Sequence, residues 1–321
     1  MESTQELTKE GGNGHAQLFK GFAEAIQEHL SLSGAVDEDQ VKEIVAQQIA
    51  DRLPREVVVT TDGSKVKLDG HVHVCFDELM ELIAEGHRNL YMVGPAGTGK
   101  TTLAKQIAKA LDRDFGFLSL SIGVTETHLL GRMLPKADGT WGYVPSRFVE
   151  VYENGGVFLL DEIDAADSNV MVTINAALAN GVLANPQSGK VHVRHDDCII
   201  VGAANTFGRG ADAQYVGRNQ LDAATLDRFV LATVFVDYDP DLELALAMSM
   251  LDDDKATDLI SWVTELREKV ATNRLRRVVS TRLVVHGAMA LRRGKKTIAD
   301  LKASLLRDWT PDEKAKVGEG K

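Results

Sequence analysis

Residues 90–111 read LYMVGPAGTGKTTLAKQIAKAL, and the rest of the chain is interpreted outward from them. An apolar run stops at a glycine-rich octet, Gly94, Pro95, Ala96, Gly97, Thr98, Gly99, Lys100 and Thr101, and a stretch with helical apolar spacing opens at once with Thr102. The octet fills the spacing GxxxxGK[ST], and its setting after a strand and before a helix is the context that spacing requires. Glycines let the backbone turn so that successive N–H groups surround phosphate oxygens, and the helix N-terminus adds positive potential at the same point. The stretch from Gly94 to Thr102 then cradles a nucleotide, with Lys100 reaching the β- and γ-phosphates and Thr101 ligating Mg²⁺. A plain turn joining strand to helix is the alternative. With glycine near 7% of average usage, a chance match in a chain this long is on the order of one in a hundred.

Further along, short apolar strands are expected at LYMVG (90–94), FGFLSLSIG (115–123), GVFLLDE (156–162), CIIVGAAN (198–205) and VLATVFVD (230–237), with helix-like segments between them. That alternation signifies a parallel sheet wrapped by helices, and VLATVFVD is apolar enough to be buried on both faces. Past Asp237 and Pro240 the strands stop, and 242–251, 259–271, 280–294 and 298–309 carry helical spacing, so Pro240 is the expected hinge into a helical lid. Ahead of the sheet, 16–30 and 37–53 read as helices and 56–70 as a hairpin turning on Asp62-Gly63. The expected class is α/β, a P-loop parallel sheet flanked by helices. Its divisions are a helical and hairpin prefix at 1–70, a nucleotide-binding domain at 71–238 and a lid with a frayed tail at 239–321.

The stretch VFLLDEID (157–164) ends an apolar run in two adjacent carboxylates. On a buried parallel strand Asp161 emerges at the carboxyl end, where such sheets bind ligands. It would hold Mg²⁺, usually through water, while Glu162 polarises the attacking water. A polar strand end running into a solvated acidic turn, through Asp164 and Asp167, is the alternative. A second puzzle is Arg228 in LDAATLDRF (221–229), where Ala223, Leu226 and Phe229 recur as one helical face would. A permanent charge sits where the chain should enter a core, and burying an unpaired guanidinium is costly. Arg228 therefore reaches solvent, pairs with Asp222 or Asp227, or points at an anion that this chain does not supply.

The order of these parts resembles the AAA+ ATPases, and the details resemble their MoxR and CobS branch, over residues 71 to about 295. The resemblance implies that Asn205, at the end of CIIVGAANT, senses the γ-phosphate and orients water with Glu162. It implies that Arg228 projects into the ATP site of a neighbouring subunit, with Arg209 and Arg218 as rivals in the preceding loop. It also implies a nucleotide-sensing role for Arg282 at the start of STRLVVHGAMAL, with Arg276 and Arg277 close enough to compete. An arginine supplied in trans can be worth ~10³ to 10⁵ in rate, whereas a surface salt bridge is worth ~0–1 kcal/mol. Two insertions, at 129–156 and 181–197, resemble the hairpins that face the ring channel in relatives. Lys136, Trp141, Tyr143, Gln187 and Lys190 are then channel candidates, with exposed loops as the alternative. The implied protein is a homo-oligomeric ring of six with ATP and Mg²⁺ between subunits, remodelling a protein client, often beside a partner with a von Willebrand factor A domain. From other classes come a nucleic-acid motor or loader and a nucleotide-dependent scaffold.

Composition limits these readings. A formal charge of −11, from 36 Lys and Arg against 47 Asp and Glu, argues against a surface that grips nucleic acid nonspecifically and favours a protein client. No stretch approaches the ~18 apolar residues of a membrane span, and the N-terminus lacks a basic start followed by an apolar run. The two cysteines, Cys75 and Cys198, form no CxxC and suit a reducing cytoplasm. His71, His73 and Cys75 alternate along one face, and His192, His195 and Cys198 would complete a zinc set, but structural zinc sites usually announce themselves by close Cys or His pairs.

Overall fold

The computed structural model describes residues 68, 70–212 and 214–319. The helices expected at 16–30 and 37–53 and the hairpin at Asp62-Gly63 lie outside these residues. Helix α1 (Phe76–Ala84) buries Phe76, Leu79 and Ile83, the i, i+3, i+7 face of an amphipathic helix. Strands β1 (Asn89–Val93), β2 (Phe115–Ser119), β5 (Gly156–Asp161), β8 (Cys198–Ala204) and β9 (Thr233–Phe235) form one parallel sheet in the order β2-β5-β8-β1-β9. The three central strands are buried along nearly their whole length, which is what the runs NLYMV, GVFLLD and CIIVGAA require. The outer strands alternate buried and exposed positions.

Successive side chains leave the sheet on opposite faces. Tyr91, Val93, Phe158, Leu160 and Ile200 pack with α4 (Arg147–Asn154) and α5 (Ser168–Asn180). Leu90, Met92, Leu159, Ile199 and Val201 pack with α1 and α2 (Lys100–Ala110). Each large apolar side chain so buried is worth roughly 1.5–3 kcal/mol. The register pairs Val93 with Ala204 and Ser119 with Asp161, which sets Gly94, Asp161 and Asn205 along one end of the sheet.

Strand β9 departs from expectation. It comprises Thr233–Phe235 at the sheet margin, with only Val234 of the three buried, and Val230 and Leu231 are 60% and 82% exposed. The chain leaves α6 (Ala223–Asp227) through a turn in which Val230 N–H donates to Asp227 and Ala232 N–H to Phe229. Leu231 takes a left-handed φ of 62° there, so the apolar residues before Thr233 form the turn and not the strand.

Between α3 (Glu126–Leu130) and α4, strands β3 (Arg132–Pro135) and β4 (Trp141–Val144) form a hairpin; β6 (Val182–Asn185) and β7 (Lys190–Val193) form a second. The two are tied together: Asn185 Nδ2 donates to Tyr143 Oη and to Leu130 O, both at 2.8 Å, and buried His192 stands 2.7 Å from Glu153 Oε1 on α4. Tyr143 thus belongs to the joint, while Trp141, Lys136, Gln187 and Lys190 are exposed. Past Asp239, which caps α7 (Pro240–Met248) by accepting from Leu242 N–H, come α8 (Asp253–Thr272), α9 (Thr281–Arg292), α10 (Ile298–Leu305) and α11 (Pro311–Lys316). Leu259, Val263 and Leu266 meet Val284, Ala288 and Leu291 in a separate core.

Candidate active site

A Cβ on Gly94 would lie 2.0 Å from the Val236 carbonyl oxygen, so glycine lets the loop leave β1 beside the end of β9. Gly97 and Gly99 hold φ of 79° and 100°, and a Cβ on Gly97 would meet Ser280 Cβ at 2.5 Å. Gly99 caps α2, which therefore opens on Lys100 with its free N–H groups aimed along the loop. Lys100 is buried, and Nζ donates to Gly94 O at 2.7 Å, Pro95 O at 2.8 Å and Asn205 Oδ1 at 3.3 Å. Burial pulls the Lys100 pKa down to about 8, against the opposing influence of Asp161 and Asp164.

Thr101 Oγ1 donates to Asp161 Oδ2 at 3.0 Å, and Asp161 Oδ1 accepts from Glu162 N–H at 3.0 Å. This hydroxyl and carboxylate are a hard-oxygen pair that suits Mg²⁺, an ion that takes one or two protein oxygens and fills its octahedron with phosphate and water. Glu162 adopts φ 55°, a region few side chains other than glycine enter, and its Oε1 accepts from Arg218 Nη2 at 3.1 Å. Arg218 Nη1 also stands 3.4 Å from Asp164 Oδ1. Asp164 is fully buried, which excludes the solvated acidic turn at that position. Its Oδ2 accepts from Asn205 N–H, Thr206 N–H and Thr206 Oγ1 at 3.2, 3.1 and 2.9 Å, fastening the end of β8 to the turn after β5.

These groups line a cleft of about 470 Å³, within the range of small-molecule sites. Residues Ala96 to Thr102, Asp161, Glu162, Asn205 and Arg282 all face it, whereas Gly94 and Pro95 do not line it and are linked to it only through the carbonyls that accept from Lys100. His71 and His73 lie on its wall, with His73 Nε2 3.0 Å from Asp237 O, whereas His192 pairs with Glu153 elsewhere. Among the described residues no three His, Cys, Asp or Glu side chains gather as a metal site. Arg277 is engaged by Asp308 and Glu313 at 2.7 and 2.9 Å, and Arg276 is exposed.

Arg228 is not brought to this cleft. Its carbonyl accepts from Asn89 Nδ2 at 3.2 Å, at the start of β1 and hence at the opposite end of the sheet. Its Nη1 lies 3.7 Å from Asp227 Oδ2, and its buried Nε has no partner among the described residues. Arg209 is exposed, and Arg218 is engaged within its own chain. Sequence reasoning did not find Tyr215 and Tyr238, whose hydroxyls meet Ala96 from 119 and 142 residues away.

Residues 89–229 match the family model of the AAA domain (dynein-related subfamily), and residues 243–318 match that of the CbbQ/NirQ/NorQ C-terminal region. The chain belongs to the AAA+ ATPases, in their MoxR-like branch. The first match takes in the glycine-rich loop, Asp161, Asn205 and Arg228, and the second takes in the C-terminal helices of this AAA+ chain from Glu243 onward. Midasin of Dictyostelium discoideum is 31% identical over 154 residues, which are 47% of this chain and 2% of midasin. An uncharacterized protein of Staphylococcus aureus (strain NCTC 8325 / PS 47) is 26% identical over 188 residues, 56% of this chain and 69% of that protein. Among solved structures, NtrX of Brucella abortus gives a TM-score of 0.49 at 14% identity, covering 75% of this chain and 57% of that one. A candidate ATPase of Cytophaga hutchinsonii gives 0.44 at 15%, covering 69% and 63%. AAA+ membership carries nucleotide binding, ATPase activity and ring assembly as general family properties. No helix among the described residues is long and apolar enough to cross a membrane.

Proposed function

We propose that this AAA+ chain forms a hexameric ring with ATP between subunits and couples Mg²⁺-dependent hydrolysis to remodelling of a protein client in the cytoplasm, beside a partner with a von Willebrand factor A domain. The observation that carries this reading is the division of the polar and charged groups. Lys100, Thr101, Asp161, Glu162, Asn205 and Arg282 share one cleft, while Arg228 stands at the other end of the sheet with a loose partner. The net charge of −11 supports a protein client over nucleic acid.

In this reading the N–H groups from Gly97 to Thr102 and the Lys100 ammonium bind the phosphates, and Arg282 closes on them from the lid. Thr101 and Asp161 would hold Mg²⁺, which when bound would supply charge neutralisation to the phosphates. Glu162 turns from Arg218 to accept a proton from the attacking water, which Asn205 orients. The water oxygen bonds to the γ-phosphorus as the bond to the bridging oxygen breaks, and that oxygen leaves on ADP. Arg228 of a neighbouring copy stabilises the charge that moves in the transition state.

Lys100→Ala removes a charged hydrogen bond worth ~1.5–3 kcal/mol and is expected to weaken ATP binding by ~10- to 150-fold in titration calorimetry. Glu162→Gln is expected to bind ATP as wild type does and to lose ~10²-fold or more in turnover. Equal ATP affinity in wild type and Lys100→Ala overturns the assignment. Pulldown with ATP-loaded Glu162→Gln identifies the client, and stimulation of turnover by DNA instead of by the retained protein would favour the nucleic-acid motor.

A further inference from the structure

Both peptide groups that meet at Ala96, inside the phosphate loop, are tied to tyrosine hydroxyls from distant segments. Ala96 N–H donates to Tyr215 Oη at 2.9 Å, and Ala96 C=O accepts from Tyr238 Oη at 3.1 Å. A trans peptide is planar, with its C=O and N–H antiparallel, so holding one group aims the other. The Pro95–Ala96 plane, held through Tyr215, turns the Pro95 carbonyl away from that tyrosine. That oxygen receives Lys100 Nζ at 2.8 Å and Thr98 Oγ1 at 3.2 Å. The Ala96–Gly97 plane, held through Tyr238, turns the Gly97 N–H away from the second tyrosine, at a residue that lines the cleft.

We infer that Tyr215 and Tyr238 are positioning residues of the nucleotide site: the first aims the carbonyl that holds Lys100, and the second aims the Gly97 N–H for phosphate. The inference rests on reading Gly94 to Thr102 as the phosphate loop. Neither tyrosine is itself free to drift. The Tyr238 ring lies 3.9 Å under the Arg267 guanidinium, which grips fully buried Glu243 through two bonds of 2.6 Å. Glu243 also accepts from Thr281 Oγ1, at the head of the helix that carries Arg282. Tyr215 is set by its own N–H on Asp212 Oδ1 at 2.7 Å, and the adjacent Gln214 donates to Arg277 O at 3.3 Å. The lid thus reaches one residue of the phosphate loop from two sides.

The test compares full-length wild type, Tyr215→Phe, Tyr238→Phe, the double variant and Lys100→Ala. The measurements are ATP·Mg²⁺ affinity by calorimetry, steady-state turnover, and Tm without nucleotide. Each phenylalanine keeps the ring and loses one hydroxyl bond, so Kd and KM should rise about fivefold. Because neither tyrosine touches reacting atoms, kcat should stay within about twofold, and Tm without nucleotide within about 2 °C. The double variant should show at least the product of the single effects, about 25-fold. Unchanged affinity in both single variants, while Lys100→Ala still loses ATP, overturns the inference and leaves the phosphate loop standing. A fall in Tm with affinity unchanged makes the tyrosines structural and overturns it as well. Unchanged affinity in Lys100→Ala instead removes the reading on which the inference rests.

Discussion

Lys100 is charged where burial disfavours charge, which brings its pKa from 10.5 to about 8. Between about pH 8 and 10.5 the folded chain therefore holds fewer protons than the unfolded chain, and this residue makes stability rise with pH across that window. Bound phosphate favours the ammonium and raises the pKa again. Near pH 8, ATP binding should take up close to half a proton, read from calorimetry in two buffers of different ionisation enthalpy. Above that pH, apparent affinity should fall by up to about tenfold per unit. No proton uptake at pH 8 would contradict a buried, charged Lys100. Lys100, Thr101, Asp161, Glu162 and Asn205 were legible because short spacings attach each of them to the end of an apolar strand. The partners Asp164–Asn205, Glu162–Arg218 and Ala96–Tyr215 were not, because 41, 56 and 119 residues separate them and no periodicity links such positions.

Helix α11 has six residues, too few to persist alone, so its place depends on its contacts. Glu313 supplies one: the Arg277 guanidinium, then the Thr310 N–H, hold its carboxyl down at about 2. A depressed carboxylate stabilises the fold above its ordinary value of 4.5 and loses that contribution as pH falls toward 2. Glu313→Gln is expected to melt below wild type at neutral pH, and the gap in Tm should close as both are titrated from about pH 5 toward pH 2. A gap that persists at the acid end would remove the ion pair as its cause. Helices α7 to α10 were legible because their apolar residues recur at helical spacing, whereas α11 lies in the tail that was expected to fray. Its own residues are mostly polar, and capping by Thr310, the Arg277–Glu313 pair and buried Val317 hold it in place. Strand β9 was misjudged for a physical reason. Apolar content marks what prefers to leave water, but it does not separate a strand inside a sheet from a turn at its margin, and Val230 and Leu231 lie in the turn.

At the scale of the assembled protein, Arg228 tests the proposed ring. Arg228→Ala should fold, bind ATP nearly as wild type does, and lose most turnover, since the missing charge acts as negative charge moves in the transition state. Mixing it with Glu162→Gln restores some interfaces that pair an intact Glu162 with an intact Arg228. The mixture should then recover ATPase activity absent from either variant alone. If exchange of subunits is demonstrated and the mixture stays inactive, the contact with Asp227 becomes the better account of Arg228, and a large fall in Tm on Arg228→Ala would support it. The family was legible from the order of the motifs. What a single chain could not reveal in its sequence was which arginine stays at home, and Arg218 does so by contacting Glu162 and Asp164. The turn beside Arg228 has a practical side. Val230, Leu231, Phe207 and Phe235 are 60%, 82%, 46% and 49% exposed, next to a strand whose outer margin pairs with no other strand among the described residues. A bare apolar margin of this kind invites sticking between molecules. Concentrated stocks should therefore cloud on the bench sooner than dilute ones, which turbidity followed over time at two protein concentrations checks.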